Sequence, residues 1–471
     1  MADELYRKSA FELAAMIRAR QVKPSELMEV TLRRIEAVNP KVNAFSATRA
    51  DQAMAEAKEL DQKIARREEV GQLAGLPLGV KDLEDTAGMA TTFGSVPFKD
   101  YMPAGDSVHV ARLKAAGAIV VGKTTTPEFG CTGFTRNMLS GVTRNPWNLE
   151  RTPGGSSGGS GAAIASSMVP LATGSDGGGS IRIPASYTGC FGYKPSRGRI
   201  PLPMMFDLAD WVLTTVPGPL TRTVRDAALY VDAAAGYHPS DPDSLPHPGI
   251  SYAAMLDRLP QKLRIAFSPD FGHVIVQHDV MREVTKAVDV FKQLGYSVDV
   301  LDDEVPELGL EWLRLTATYA YACIADRIQA HRDEFGRAFL AGAESATRLG
   351  WDKVGAAQRK RTELNRWCQK TFERYDLLLT PTLPTEAFGA SGPPPKEIDG
   401  KPLPDLLSAV AFTYPFNMSG HPAASVRAGF TDAGLPCGLQ IVAERHRDDL
   451  VLQASYAYEQ ARPWNDRWPE I

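Results

Sequence analysis

A glycine- and serine-rich block at residues 154–185 constrains the fold of this chain more than any other segment. It reads GGSSGGSGAAIASSMVPLATGSDGGGSIRIPA, with Ser156 and Ser180 each inside a glycine cluster. Glycine this dense suits backbone that must approach a ligand closely or adopt conformations that a Cβ forbids. A serine hydroxyl is a poor nucleophile until a base takes its proton. We therefore expect the fold to bring a base to these serines.

Two interpretations without serine chemistry fit the block poorly. A flexible Gly/Ser linker would not be interleaved with apolar runs such as residues 162–165 and 181–184. A phosphate-binding loop requires GxxxxGK[ST] or, for dinucleotides, GxGxxG after a strand. No lysine follows these glycines, and the GxGxxG spacing is absent. The block is therefore neither a simple linker nor a phosphate loop.

A nucleophile elbow is a further interpretation, because residues 154–158 satisfy GxSxG around Ser156. An elbow needs a strand that leads directly into it and a histidine base. Residues 145–153 contain two prolines and two asparagines, which make a poor strand. The candidate bases would be His421 and His446, neither of which lies in a distinctive sequence context.

A lysine offers a different base. Residues 75–82 read GLPLGVKD, an apolar run with Lys81 near its end. Burial at the mouth of a strand lowers the pKa of a lysine, and neutral lysine is a competent general base. The competing interpretation is a lysine whose stem extends to water, with Asp82 as its ion-pair partner. Position alone favours the ion pair.

The same block resembles the signature of the amidase signature family of serine hydrolases. The matching positions are residues 154–159, 161–162, 174, 176, 178, 180–182 and 184–185, and Lys81 precedes Ser156 at a spacing similar to the family's. Flanking segments agree as well: TRNPW at 143–147, GYKPSRGR at 192–199, GPLTRTVRDAAL at 218–229 and FTYPFNMSGHPAASV at 412–426. The resemblance extends from the first helices to about residue 445. It favours the catalytic interpretation of Lys81 over the ion pair.

The resemblance implies a Ser-Ser-Lys triad for amide hydrolysis through an acyl-enzyme. Ser180 would be the nucleophile, Ser156 the proton relay and Lys81 the base. The Gly155–Ser156 peptide is expected to be cis. No metal or cofactor is expected, since the sequence contains no HExxH, paired CxxC or clustered carboxylate motif.

The loop around the nucleophile is expected to supply the oxyanion hole. Preorganised N–H groups stabilise the developing negative charge, and side chains there would obstruct the substrate. The expected donors are the backbone N–H groups of Gly177, Gly178, Gly179 and Ser180. Asp176 and Arg182 bracket this loop and are expected to brace it rather than to react.

The substrate pocket is expected to be formed by segments on both sides of the block. The residues that the resemblance assigns to its walls are Gly130, Cys131, Phe134, Met138 and Phe416. Aromatic and thioether walls without a fixed charge favour an apolar or aryl amide, with carbamates (urethanes) and esters as further candidate substrates. Plain core packing is the alternative for each side chain. Resemblance is weakest at residues 305–360 and 391–404, and a variable pocket-shaping region is expected at about 305–405.

The alternative function is the glutaminase-type A subunit of a tRNA-dependent amidotransferase. That protein belongs to the same family and acts with partner subunits and tRNA on a zwitterionic glutamine. Residues 310–365 do not resemble the tyrosine- and arginine-bearing segment that it uses there. A catalytically inactive binding protein is disfavoured because Lys81, Ser156 and Ser180 are all present.

The expected fold is one α/β domain over residues 1–471, with a mixed twisted sheet between layers of helices. The resemblance implies an N-terminal helical segment at about 1–65 and a signature core at about 70–230. Periodicity predicts helices at 107–117 and 280–294 and strands at 118–121 and 297–300. Such alternation by itself indicates a largely parallel sheet. Long loops are expected at 239–249 and 391–404.

Composition restricts the partners. The net charge is −4, and no basic run is longer than a few residues, so nucleic-acid binding is not expected. Five scattered cysteines without CxxC spacing indicate a reducing compartment, and each is expected to pack in the core. The N-terminal residues lack an apolar stretch, and residues 9–12 predict a capping box, so a membrane anchor is not expected and the cytoplasm is the default location. The substrate would be a small molecule, and the oligomeric state stays open, a homodimer included.

Overall fold

Helices and strands alternate along the chain in a computed structural model that describes residues 2–202, 204–206 and 208–471. The α-helices are α1 (Ala10–Arg18), α2 (Pro24–Val42), α3 (Ala50–Ala65), α4 (Val108–Ala115), α5 (Gly158–Ala165), α6 (Arg182–Thr188), α7 (Val224–Ala234), α8 (Tyr252–Met255), α9 (His278–Gln293), α10 (Gly309–His331), α11 (Arg337–Ser345), α12 (Trp351–Arg374), α13 (Tyr414–Met418) and α14 (Asp448–Ala461). The strands are β1 (Phe45–Thr48), β2 (Pro77–Lys81), β3 (Ile119–Thr124), β4 (Arg136–Asn137), β5 (Gly141–Val142), β6 (Leu171–Asp176), β7 (Phe191–Lys194), β8 (Val216–Thr221), β9 (Arg264–Phe267), β10 (Ser297–Val300), β11 (Leu377–Pro381), β12 (Glu397–Ile398), β13 (Lys401–Pro402), β14 (Ala423–Phe430) and β15 (Pro436–Ala443).

Within the described residues, eleven strands form one mixed sheet. Their order is β1-β3-β2-β6-β8-β7-β14-β15-β11-β9-β10. The pairs β2–β3, β2–β6, β9–β10 and β9–β11 are parallel, whereas the other neighbours are antiparallel. The mixed sheet is confirmed, and the largely parallel sheet inferred from the alternation of elements is wrong. One reason is that β14 and β15 follow each other through a short connection, which permits an antiparallel pair without a crossover.

Helices cover both faces of this sheet. Val120 and Val121 are neighbours in β3, and they belong to different apolar clusters because successive side chains in a strand point to opposite faces. Val120 lies in the cluster that includes buried residues of α1, α7, α9 and α14. Val121 lies in the cluster that includes buried residues of α3 and α5. The predicted α/β domain with a sheet between helical layers is therefore confirmed.

Several local predictions hold. The helices and strands predicted near 107–121 and 280–300 correspond to α4, β3, α9 and β10. The predicted capping box opens α1, where the Ser9 hydroxyl accepts the Glu12 N–H at 3.2 Å and the Glu12 carboxylate accepts the Ser9 N–H at 2.8 Å. Residues 239–249 contain neither helix nor strand.

Two local expectations need correction. The segment 391–404, expected as a loop, contains the short hairpin of β12 and β13, in which Glu397 pairs with Pro402. The N-terminal helical segment also contributes β1, an edge strand that pairs with β3. None of the helices in the described ranges has the length and apolar character needed to cross a membrane.

Candidate active site

Lys81 and Ser156 meet at one edge of the sheet. Lys81 is the last residue of β2, and β2 runs parallel to β6, so the carboxyl ends of both strands lie at the same edge. The Lys81 Nζ lies 2.8 Å from the Ser156 Oγ and 3.0 Å from the Ser175 Oγ, and the Ser175 carbonyl oxygen lies at 3.3 Å. Neither Lys81 nor Ser156 is more than 2 % exposed. The lysine-containing segment GVKD and the glycine- and serine-rich block thus meet at one buried hydrogen bond, between Lys81 and Ser156.

The environment of Lys81 weakens its affinity for a proton. Burial lowers the pKa of Lys81 to about 7, and the negative charges of Glu84 and Asp176 only partly oppose this effect. No carboxylate among the described residues lies within ion-pair distance of its ammonium group. A substantial fraction of Lys81 is therefore neutral at pH 7, the form that accepts a proton.

The ion-pair interpretation of Lys81 is wrong. Its stem does not extend to water, because the side chain is fully buried. Asp82 faces a different cation, with its carboxylate 3.9 Å from the Lys123 Nζ and hydrogen-bonded to the Thr92 hydroxyl and N–H. Residues 81 and 82 diverge because successive side chains at a strand end point to opposite faces.

Backbone contacts join the segments that carry the two serines. The Ser157 N–H donates to the Ser180 carbonyl oxygen at 3.1 Å, and Ser180 itself is half-buried. The peptide between Gly155 and Ser156 is cis. A Cβ on Gly155 would lie 2.8 Å from the backbone of Thr132 and Phe134, so only glycine fits this close approach.

A buried ion pair braces the loop that contains Ser180. Arg182 and Asp176 are both fully buried, and the Arg182 Nη2 lies 2.8 Å from the Asp176 Oδ1. Arg182 also donates to the Thr413 carbonyl, the Gln440 side chain and the Asn417 Oδ1. Burial alone would raise the pKa of Asp176, but Arg182 holds it well below its usual range. The carboxylate is thus a permanent anchor for the loop, as its bracketing position suggested.

The loop offers a smaller set of free N–H donors than the sequence implied. The Gly179 N–H donates to the Asp176 Oδ1 at 2.7 Å and is therefore occupied. In the described part of the chain, the N–H groups of Gly177, Gly178 and Ser180 have no protein acceptor. The expected hole of four donors reduces to three, because Asp176 needs one donor to anchor the loop.

The two histidines of the elbow interpretation lie in other surroundings. The Nδ1 of His421 bonds the Ser419 hydroxyl at 2.9 Å, its ring stacks on Phe372, and burial lowers the pKa of His421 to about 4. His446 is exposed, and its backbone N–H donates to the Ser196 hydroxyl. Residues 145–153 contain only isolated bridges where the elbow would need a strand. The base within hydrogen-bond distance of Ser156 is therefore Lys81 rather than a histidine.

The residues that were expected to line the pocket differ from one another in what they contact. Gly130 lies beside the serine, since a Cβ there would be 3.0 Å from the Ser156 Oγ. The ring of Phe134 packs against Phe388 and over Gly392, in the loop before the hairpin. Met138 is 58 % exposed.

Phe416 does not line an open wall. It has no exposed surface, and its ring packs against Phe271 in a core cluster behind the site. Core packing, the alternative interpretation, is therefore what the structure shows for this residue. Phe416 lies in the one turn of α13, next to Asn417, which faces the Asp176–Arg182 pair.

An aromatic cluster adjoins Gly130. Phe129 precedes Gly130, and its ring stacks on Phe93 at 5.4 Å and on Phe339 at 4.7 Å. We use "aromatic cluster" for Phe93, Phe98, Phe129, Phe335 and Phe339. Phe335 and Phe339 come from the variable region and are buried, so this region packs behind Phe129, the member of the cluster that keeps partly exposed surface next to Gly130.

The cysteines divide into two groups. Cys190, Cys368 and Cys437 are buried, as expected for core residues. Cys131 is exposed and Cys323 is only partly buried, so the expectation of core packing is wrong for these two. Cys131 follows directly after Gly130 in the turn beside Ser156.

Sequence reasoning missed three residues that contact the reactive segments. Ser175 is hydrogen-bonded to Lys81, and its place before Asp176 in the signature block was an available signal. The Trp312 Nε1 donates to the Gly177 carbonyl at 2.8 Å, and the Thr413 hydroxyl donates to the Gly178 carbonyl at 2.6 Å. No local pattern in the sequence predicts the Trp312 contact, since it depends on how α10 packs.

The described residues contain no group of three or more His, Cys, Asp or Glu arranged to hold a metal.

Known proteins resemble this chain over nearly its whole length. A family model described as Amidase matches residues 26–452. An acylamidase from Rhodococcus erythropolis is 37% identical, over 99% of this chain and 98% of that protein. The A subunit of a glutamyl-tRNA(Gln) amidotransferase from Acaryochloris marina is 36% identical, over 95% of this chain and 96% of that protein. The solved structure of a bacterial aryl acylamidase superposes with a TM-score of 0.92 at 33% identity, covering 98% of this chain and 97% of the other.

These similarities agree with the site. The family match spans Lys81, Ser156 and Ser180, the residues that the sequence analysis singled out. The structural similarity extends to the whole sheet rather than to a fragment of it. The chain therefore belongs to the amidase signature family and is an enzyme that hydrolyses amide C–N bonds.

Proposed function

We propose that this enzyme hydrolyses apolar or aryl amides with Lys81 as base, Ser156 as relay and Ser180 as nucleophile. One observation carries the proposal: a fully buried lysine without a carboxylate partner has its Nζ 2.8 Å from the Ser156 hydroxyl. A base must be within hydrogen-bond reach of its proton and must be partly neutral at working pH. The distance and the pKa of about 7 for Lys81 meet both requirements.

The reaction begins with two proton transfers. Neutral Lys81 takes the proton of the Ser156 hydroxyl, and Ser156 takes the proton of Ser180 as the Ser180 Oγ attacks the amide carbonyl. The tetrahedral oxyanion accepts hydrogen bonds from the N–H groups of Gly177, Gly178 and Ser180. The relay then runs in reverse and protonates the leaving amine. Water attacks the resulting acyl-enzyme through the same groups and releases the acid.

The surroundings of the serines support an apolar substrate. Gly130 borders Ser156, and the aromatic cluster begins at the residue before it. Aromatic walls bury apolar substrate surface, whereas a zwitterion would need fixed charges of opposite sign. An acylamidase and an aryl acylamidase are among the similar proteins, in agreement with this substrate class. Carbamates and esters also contain a carbonyl group that a serine can attack, so they are included in the proposal.

The glutaminase-type A subunit remains the second candidate. Overall identity does not separate the candidates, because the acylamidase is 37% and the amidotransferase protein 36% identical to this chain. The partly exposed ring of Phe129, next to Gly130, favours the amidase that acts on its own. The same aromatic surroundings support a small-molecule substrate rather than tRNA, which we therefore propose.

We also propose that the enzyme acts in the cytoplasm. Its five cysteines form no disulfide, which suits that reducing compartment.

An activity panel tests the proposal. The purified chain is offered an anilide, an aliphatic amide, an aryl carbamate, a nitrophenyl ester and glutamine, with Ser180→Ala as the matched blank. We expect hydrolysis of the anilide, little release of ammonia from glutamine, and a loss of about 10⁴-fold or more in Ser180→Ala, since removal of a serine nucleophile has effects of this order. Faster turnover of glutamine than of the anilide would support the amidotransferase alternative instead.

A further inference from the structure

Each carbonyl group of the nucleophile loop, residues 176–180, accepts a hydrogen bond, and those of residues 176–179 accept it from residues other than the reactive serines and their neighbours. Asn417 Nδ2 donates to the Asp176 carbonyl at 2.7 Å, and the Ile183 N–H donates to the Gly179 carbonyl at 2.7 Å. Between these, Trp312 holds the Gly177 carbonyl and Thr413 holds the Gly178 carbonyl. The loop therefore cannot rotate a peptide plane without breaking a hydrogen bond.

The anchored carbonyls determine where the N–H groups point. In a trans peptide unit, the C=O and the N–H of the next residue are directed to opposite sides. The bond from Trp312 to the Gly177 carbonyl thus turns the Gly178 N–H to the other side of the loop. Thr413 fixes the next peptide, whose Gly179 N–H is held by Asp176. The free donors of Gly178 and Ser180 flank this doubly anchored unit.

Packing holds the indole of Trp312 directly against the loop. A Cβ on Gly178 would lie 2.3 Å from the Trp312 Cζ2, so glycine is required for this contact. On the other side the indole stacks on Tyr414, with the ring centroids 5.9 Å apart at an interplanar angle of 20°. Trp312 belongs to the first turn of α10, in the region where resemblance to the family is weakest.

We propose that Trp312 and Thr413 are positioning residues that orient the oxyanion donors of this enzyme. The inference rests on the proposed function, because it assumes that the oxyanion forms beside Gly178. Neither side chain touches the substrate in this role. Trp312 holds the peptide that carries the Gly178 N–H. Thr413 fixes the neighbouring peptide, which joins the donors of Gly178 and Ser180, so that losing either hydrogen bond lets a donor tilt away from the developing charge.

Trp312→Phe is the main test, because it keeps an aromatic ring and removes the N–H. We expect kcat for an anilide to fall about tenfold while KM stays within about twofold, since the bond matters in the transition state rather than in substrate binding. The Ki of an arylboronic acid, which forms a tetrahedral anion on the serine, should rise by about the same factor as kcat falls. Trp351→Phe is the matched control, because Trp351 is 89 % exposed and lies outside the site.

Thr413 provides a second test that does not depend on Trp312. Thr413→Val keeps the shape and removes the hydroxyl, whereas Thr413→Ser keeps the hydroxyl. We expect Thr413→Val to lower kcat about tenfold and Thr413→Ser to keep kcat within about threefold of the native value. If Thr413 served only to fill space, Thr413→Ser would not retain a higher kcat than Thr413→Val.

The outcomes separate this inference from the proposed function. Unchanged kcat and boronate affinity in both Trp312→Phe and Thr413→Val would overturn the positioning role while leaving the serine mechanism intact. A raised KM with unchanged boronate affinity would overturn it as well, and would assign Trp312 to the substrate wall. If a fluorophosphonate probe failed to label Ser180 of the native enzyme, the proposed function and this inference would both fall.

Discussion

Two buried lysines on adjacent parallel strands occupy opposite environments. Lys81 ends β2, and Lys123 lies near the end of β3, where it pairs with Val80 while Lys81 pairs with Thr124. The two side chains therefore leave the sheet on opposite faces. Among the residues that the structure describes, the Lys81 Nζ bonds only serine oxygens, whereas the Lys123 Nζ lies 3.9 Å from the Asp82 carboxylate.

The comparison indicates what would suit a buried lysine to the proposed role of base. Burial lowers the pKa of both lysines. For Lys123, Asp82 is the largest influence that opposes this effect, and carbonyl and hydroxyl oxygens complete the shell of its ammonium group. Burial is common to both sites, so the difference lies in the adjacent carboxylate. The environment of Lys81 thus suits the proposed base, whereas Lys123 has a carboxylate that favours its charged form.

The largest effect that tests this contrast is on catalysis. Lys81→Met should lower kcat/KM by about 10³-fold at pH 7.5, because general-base catalysis contributes roughly 10²–10⁴-fold. Lys123→Met, the control on the neighbouring strand, should stay within about tenfold of the native enzyme. Steady-state kinetics on the folded variants measures both. Equal losses in the two variants would contradict the division of roles.

A carboxylate placed next to Lys81 should make it resemble Lys123. The native kcat/KM should rise with pH through a single ionisation at the pKa of about 7 and then level off, since neutral Lys81 is the active form. Ser175→Asp should raise that pKa by about one unit or more and lower activity at pH 7 about tenfold, with recovery at higher pH. Ser175→Asn is the neutral control and should leave the ionisation near its native position.

Stability should respond to the two lysines in opposite directions. Lys123→Met leaves Asp82 buried without its cation and should cost about 3–5 kcal/mol. Lys81→Met should raise the unfolding midpoint at pH 7 by about 1–3 °C, because it removes a group whose affinity for a proton falls on folding. The pKa of Lys81 is lower in the folded chain, so native stability rises from about pH 7 toward pH 10.5 and the advantage of Lys81→Met shrinks there. Scanning calorimetry across this pH range measures both differences.

The smallest effect should come from the histidines. His421→Asn and His446→Asn should leave the ionisation near pH 7 in place and change kcat/KM by less than about threefold. Burial lowers the pKa of His421 to about 4, too low to produce an ionisation near 7. Loss of the ionisation in either variant, with activity retained in Lys81→Met, would restore the elbow interpretation.

The contact between Lys81 and Ser156 was predictable because both residues lie in short, contiguous motifs. Lys81 and Ser156 could be paired from GVKD and the glycine block, and their contact is present in the structure. The order of strands was harder to predict, since alternation of helices and strands does not reveal that β14 and β15 form a hairpin in the interior of the sheet.

Contacts between distant segments were not predictable from local patterns. Phe416 was expected at a pocket wall but faces the core, because a single turn of helix leaves no periodicity from which to infer its direction. Trp312 reaches the nucleophile loop only through the packing of α10. The loss of Gly179 as a free donor depends on the side-chain orientation of Asp176, which the sequence does not specify.

The anchoring of the nucleophile loop has a consequence for biosynthesis. Lys81, Ser156 and Ser180 leave the ribosome long before Thr413 and Asn417 do. A nascent or truncated chain that ends before residue 413 would hold the three reactive groups but lack the outer donors of the Asp176 and Gly178 carbonyls. Hydrolysis should therefore require a chain that extends past Asn417, since the donors to these two carbonyls lie in that segment.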